Sequence, residues 1–128
     1  GYANPAQVRR LFRRVRAEIG DKLEAAHLHN TRGLGLANAL AGLDRGVRDF
    51  ESSIGGMGGC PYAPLAVGNI CTEDFVHMLH GMGYETGLEL DLLIDAARMT
   101  SPSATAGMYC ALSLIQMRCV GSMDAYSV

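Results

Sequence analysis

His27 and His29 are two residues apart, and two is the side-chain repeat of a β-strand. On a strand both imidazoles leave the same face, and their nitrogens converge on one point beyond it. Imidazole pairs of this kind suit divalent and transition metals, with further ligands drawn from elsewhere in the fold. The plainer alternative is a pair of packed, hydrogen-bonded strand histidines. Cys60 follows Gly55-Gly56-Met57-Gly58-Gly59 and precedes Pro61, so its thiol sits on a loop built to move. That setting suits a catalytic acid, base or nucleophile, and equally a small hydrophobe at a loop root. Asn69, just ahead of a helix starting at Thr72, is either a cap or turn residue or an amide oxygen for a hard cation. His77 and His80 read as exposed or packing residues of that helix. Cys71, Cys110 and Cys119 read as buried neutral thiols.

The elements that must position these groups follow from periodicity. Asn4 caps a helix with Pro5 at its first position, and Gly20 closes it. Val8, Leu11, Phe12, Val15 and Ile19 form its apolar stripe, flanked by arginines expected to face solvent. Lys22 to His29 reads as a strand, Asn30 to Gly33 as a turn, and Leu34 to Arg45 as a helix with Leu36, Ala37, Leu40 and Leu43 at helical spacing. Val47 to Ile54 reads as a second strand. Glu73 and Asp74 favour the first turn of the helix from Thr72, which ends near Gly83. Thr86-Gly87-Leu88-Glu89 has the capping-box pattern for a last helix bearing Leu90, Leu93, Ile94 and Ala97. Strands alternating with helices predict an α/β fold with a parallel sheet. Two strands do not complete such a sheet, so either the tail adds strand or the chain is part of a larger fold. From Thr100 onward no element is assigned.

Composition narrows the function classes. The 128 residues allow one domain, and 48% apolar with 19% charged residues is globular usage. A net charge of −2 gives no global reason to bind nucleic acid or an acidic membrane. Five arginines crowd between positions 9 and 16, a local feature. Four cysteines with no CxxC pair fit a reducing, intracellular setting, and the expected compartment is the cytoplasm. The apolar stretch Met108–Met117 is about half a membrane span. The chain opens without a signal-peptide pattern and without Met, which suggests a start inside a larger protein or after processing.

The segments His27-Leu28-His29-Asn30-Thr31-Arg32-Gly33 and Leu36-Ala37-Asn38-Ala39-Leu40 resemble the metal-binding strand and following helix of the hydroxymethylglutaryl-CoA lyase family. Ser53 to Ala63, continuing through Gly68-Asn69 to Thr72-Glu73-Asp74, resembles that family's signature loop, with its nine-residue step from cysteine to asparagine. The resemblance implies the later part of a (β/α)8 TIM barrel, from about the sixth and seventh strands onward, over residues 1–99. Residues 100–128 form a tail that does not resemble the family. It further implies a divalent cation, Mg²⁺ or Mn²⁺, on His27, His29 and Asn69, and Cys60 as a mobile catalytic residue. An aspartate ligand and an enolate-stabilising arginine of the family's first strand have no counterpart here. The implied substrate is an acyl-CoA, cleaved to acetyl-CoA and acetoacetate in the cytoplasm or a mitochondrial matrix. The chain by itself is expected to be inactive and to associate, as a homo-oligomer or through exposed sheet edges. Aldolases and Claisen-type synthases of the same barrel group share the His-x-His-Asn strand but lack the Gly-Gly-Cys-Pro-Tyr loop. A non-catalytic half-barrel is the other reading. A zinc module of His27, His29, Cys60 and Cys71 matches no common spacing.

Overall fold

The computed structural model describes residues 1–59, 67–99 and 114–121. Asn4 caps α1 (Pro5–Ile19) through a reciprocal pair of bonds with Gln7, and Gly20 ends it at φ 59°. Val8 and Phe12 are its buried residues, whereas Leu11 and Ile19 stand exposed. Of the expected five-residue stripe, two residues are thus buried, Val15 is half-buried and two are exposed. The arginine face is partly engaged: Arg9 pairs with Asp44 at 2.7 Å, and Arg16 donates to the Gly46 carbonyl.

β1 (Ala25–His27) is shorter at both ends than the strand expected over 22–29: a 3-10 turn takes Gly20–Lys22, and past His27 the Leu28 carbonyl accepts from the Ile70 N–H. His29 lies past its end, in an isolated bridge to Asn69. α2 (Gly35–Leu43) packs against α1, and Gly42 lets the Phe12 and Phe50 rings approach where a Cβ would meet them at 3.3 and 3.4 Å. β2 (Asp49–Ser53) completes a parallel βαβ unit, with Ala25 opposite Asp49 and His27 opposite Glu51. After a 3-10 turn at Ile54–Gly56 the chain returns as α3 (Thr72–Gly81) and α4 (Leu90–Met99). α4 begins four residues after Thr86, whose hydroxyl instead accepts from the Leu88 N–H, so the anticipated capping box does not form.

The tail left unassigned by periodicity contributes β3 (Leu114–Arg118). It pairs antiparallel with β2 over five residues, giving the order β1-β2-β3. Met117 and Cys119 are buried while Gln116 and Arg118 face out, the period-two pattern of a strand covered on one side. The core centres on Phe50, which meets Phe75 edge-to-face at 5.2 Å, with Val47, Ile70, Val76 and Leu79 around the pair. Among the described residues no helix is long and apolar enough to cross a membrane.

Candidate metal centre

The C-terminal ends of β1 and β2 are where the histidines come together. A backbone segment crosses these ends: Ile70 N–H donates to Leu28, Asn30 N–H to Gly68, and Ser53 N–H to Ile70. Gly68 is required there, since a Cβ would collide with the Gly56 carbonyl. This crossing sets Asn69 opposite His29.

The two rings meet at an interplanar angle of 66°, with His27 Nε2 and His29 Nε2 3.2 Å apart. Each ring is held by its other nitrogen. His29 Nδ1 lies 3.2 Å from the Val67 carbonyl, and His27 Nδ1 lies 3.1 Å from Glu51 Oε2. A carbonyl only accepts, so His29 carries its proton on Nδ1 and presents a lone pair at Nε2. A spacing of 3.2 Å is that of two nitrogens sharing a proton, and it would equally let both face one small cation. Asn69 donates through Nδ2 to the Met57 carbonyl, while its Oδ1 is buried with no hydrogen-bond partner. An orphaned buried carbonyl oxygen is costly unless a donor or cation meets it. Two imidazole nitrogens and an amide oxygen are donor types that a divalent cation takes, and the bridge sets Asn69 opposite His29.

Glu73 anchors the root of the glycine-rich segment. Its carboxylate accepts the Gly55 N–H at 3.0 and 3.1 Å and the Cys71 thiol at 3.1 Å. Burial pushes the Cys71 thiol up to about 11, opposed by a hydrogen bond at Asp74 and reinforced by Glu73. Cys71, the described cysteine of the zinc alternative, is thus a neutral thiol turned toward Glu73. Among the described residues no group of three or more His, Cys, Asp or Glu gathers to hold a metal. Cys60 and Cys110 lie outside the described residues. His77 is exposed, and His80 bonds Thr86 at 3.0 Å, so neither joins the histidine pair. Glu51, Val67 and Met57 were not singled out from sequence. Two of the three act through backbone carbonyls, which carry no residue-type signal, and Glu51 becomes visible only once the β1–β2 register is known.

Comparison with known proteins bears on the same residues. The HMGL-like family model matches residues 1–100. An (R)-citramalyl-CoA lyase of Chloroflexus aurantiacus is 49% identical over 107 residues, 84% of this chain and 33% of the relative. A hydroxymethylglutaryl-CoA lyase of Bacillus subtilis is 45% identical over 98 residues, 77% of this chain and 33% of the relative. A solved HMG-CoA lyase from Acinetobacter baumannii, in complex with coenzyme A and 3-methylmalate, superposes with a TM-score of 0.75 at 45% identity. That superposition covers 88% of this chain and 36% of the other. The chain therefore spans about a third of the length of the relatives it matches.

Proposed function

The chain belongs to the HMGL-like family, and on that premise we propose that it is the metal-holding part of an acyl-CoA lyase. In this reading His27, His29 and Asn69 hold a divalent cation, Mg²⁺ or Mn²⁺. The observation that carries it is the pair of Nε2 atoms at 3.2 Å near a backbone-paired asparagine whose buried Oδ1 lacks a partner. The protein is the later part of a TIM barrel over residues 1–99, with β1 and β2 as neighbouring parallel strands. Residues 100–128 follow it, and β3 within them pairs with β2.

The reaction is retro-Claisen cleavage of a 3-hydroxyacyl thioester, with 3-hydroxy-3-methylglutaryl-CoA the first candidate. The tertiary hydroxyl gives up its proton, the adjacent C–C bond breaks to leave a ketone, and the departing thioester enolate takes a proton at carbon. Acetoacetate and acetyl-CoA are the products. The cation, when bound, would stabilise negative charge on the substrate oxygens. His27 and His29 supply neutral imidazole donors, and Asn69 supplies an oxygen without adding charge. Cys60 Sγ, on its glycine-rich loop, is the proposed proton donor to the enolate carbon. The citramalyl-CoA lyase likeness favours a second reading in which the substrate is citramalyl-CoA or a similar branched thioester.

The test is Mn²⁺ binding to the chain, followed by electron paramagnetic resonance. His27→Ala, His29→Ala and Asn69→Ala should each weaken binding by at least about tenfold. Unchanged affinity in any one of the three would overturn the reading. The chain alone should release no acetyl-CoA from either thioester, because the family's first-strand acid and arginine have no counterpart in it. Turnover that disappears in Cys60→Ala would contradict that expectation.

A further inference from the structure

We propose that Glu51 is a positioning residue for the metal centre: its carboxylate fixes the His27 ring in the tautomer that turns Nε2 toward the cation. The proposal rests on the metal-centre reading and goes beyond it, assigning a role to a group that does not touch the ion.

The register places Glu51 directly opposite His27 on the neighbouring parallel strand. Residues paired in this way project from the same face of the sheet. The side chains meet there, with Oε2 3.1 Å from Nδ1. A carboxylate only accepts and a neutral imidazole has a single N–H, so the bond puts that proton on Nδ1 and leaves a lone pair at Nε2. The lone pair faces His29 Nε2, which the Val67 carbonyl prepares in the same sense. Two lone pairs 3.2 Å apart repel unless a cation or a shared proton lies between them, so Glu51 shapes a pair that a cation can enter in place of that proton. A carboxylate behind a ligating imidazole also strengthens the ring as a donor. Oε2, bonded to Nδ1, lies on the far side of the ring from the point where the Nε2 atoms converge, which separates positioning from ligation.

Both side chains are over a third exposed, at 38% and 36%. Solvent at that level screens the pair as a source of folding stability. Its contribution should therefore appear in ring orientation and ion affinity.

The experiment compares Glu51→Thr and Glu51→Gln with the native chain. Thr suits a strand but cannot reach the ring, and Gln keeps an acceptor oxygen. Imidazole ¹⁵N shifts should report Nδ1–H for His27 in the native chain and in Glu51→Gln, and mixed tautomers in Glu51→Thr. Mn²⁺ affinity should fall about 10- to 100-fold in Glu51→Thr and recover largely in Glu51→Gln. Native affinity in Glu51→Thr, or equal loss in both variants, would overturn the proposal. If Glu51→Thr does not fold, the native spectrum decides: Nε2–H on His27 overturns the proposal and Nδ1–H supports it. His27→Ala is the separating control. Binding that survives His27→Ala sinks the metal centre itself, whereas binding lost in His27→Ala but intact in Glu51→Thr sinks only the role of Glu51.

Discussion

The two edges of β2 are held in different ways. On one side β1 pairs parallel over three residues, and this short ladder carries His27 beside Glu51. On the other side β3 pairs antiparallel over five residues, with Met117 and Cys119 turned into the core and Arg118 forked onto Asp49. The parallel edge supplies chemistry and the antiparallel edge supplies cover. Site geometry at the first edge rests on backbone crossings and on Gly68, where even a methyl group does not fit. Position at the second rests on alternate burial, which tolerates changes at exposed positions. A substitution should thus be felt differently on each side of the same strand, and most strongly in the middle.

The middle is Phe50, fully buried, edge-to-face with Phe75 and beside Gly42. Phe50→Ala should cost about 3–5 kcal/mol and loosen both edges together, measured by chemical denaturation. Loss of one edge with the other intact would show that the two are independent. Met117→Ala should cost about 2–5 kcal/mol and raise amide exchange in β3 well above that in β1. A smaller effect lies between β2 and α3, where Ser52 and Thr72 hydroxyls meet at 2.9 Å, both fully buried. Thr72→Val strands the Ser52 hydroxyl, and a cost of about 1–3 kcal/mol is expected.

How far the sequence went follows the same division. The βαβ unit was legible because α2's apolar spacing and the Gly46 turn separate two short strands. The histidine pair was legible from its spacing of two. β1 nevertheless ends at His27, so the pair is brought together by the bridge to Asn69 and by the Glu51 and Val67 bonds, not by a continuous strand. Such long-range backbone pairing leaves no local pattern. β3 escaped for another reason. Its alternation spans only Gln116 to Val120 and adjoins the apolar run from Met108, so no period stands out. The exposure of Leu11 and Ile19 shows a helix stripe wider than its present partner, since covering it takes more neighbours than the described residues supply.

The thiols offer a gentler probe. Burial is the first cause raising Cys71 and Cys119 from 9.0 to about 11. Both are therefore protonated more readily folded than unfolded. The resulting stabilisation is complete below about pH 9 and is lost as pH rises through about 11. Cys119→Ser should flatten part of that decline in melts run from pH 8 to 11. Alkylation of the native thiols should stay slow until the pH approaches the upper value. Rapid labelling of Cys119 at pH 8 would mean that β3 leaves its place often.

The smallest effect should come from the most conspicuous bond on the covering edge. Arg118 reaches Asp49 with two hydrogen bonds of 2.8 and 3.0 Å, yet its side chain is 72% exposed. An ion pair in that position gains little over its hydrated parts and pays side-chain entropy to form. The register is already specified without it, because a one-residue slip would turn Met117 and Cys119 to solvent and bring Gln116 and Arg118 inward. Arg118→Gln should leave the melting temperature within the scatter of replicate scans, and added salt should change the native chain no more than the variant. Amide exchange of Met117 should also be unaltered. If Arg118→Gln instead frees β3 while Met117→Ala does not, charge and not burial holds that edge, and the contrast between the two sides of β2 would have to be redrawn.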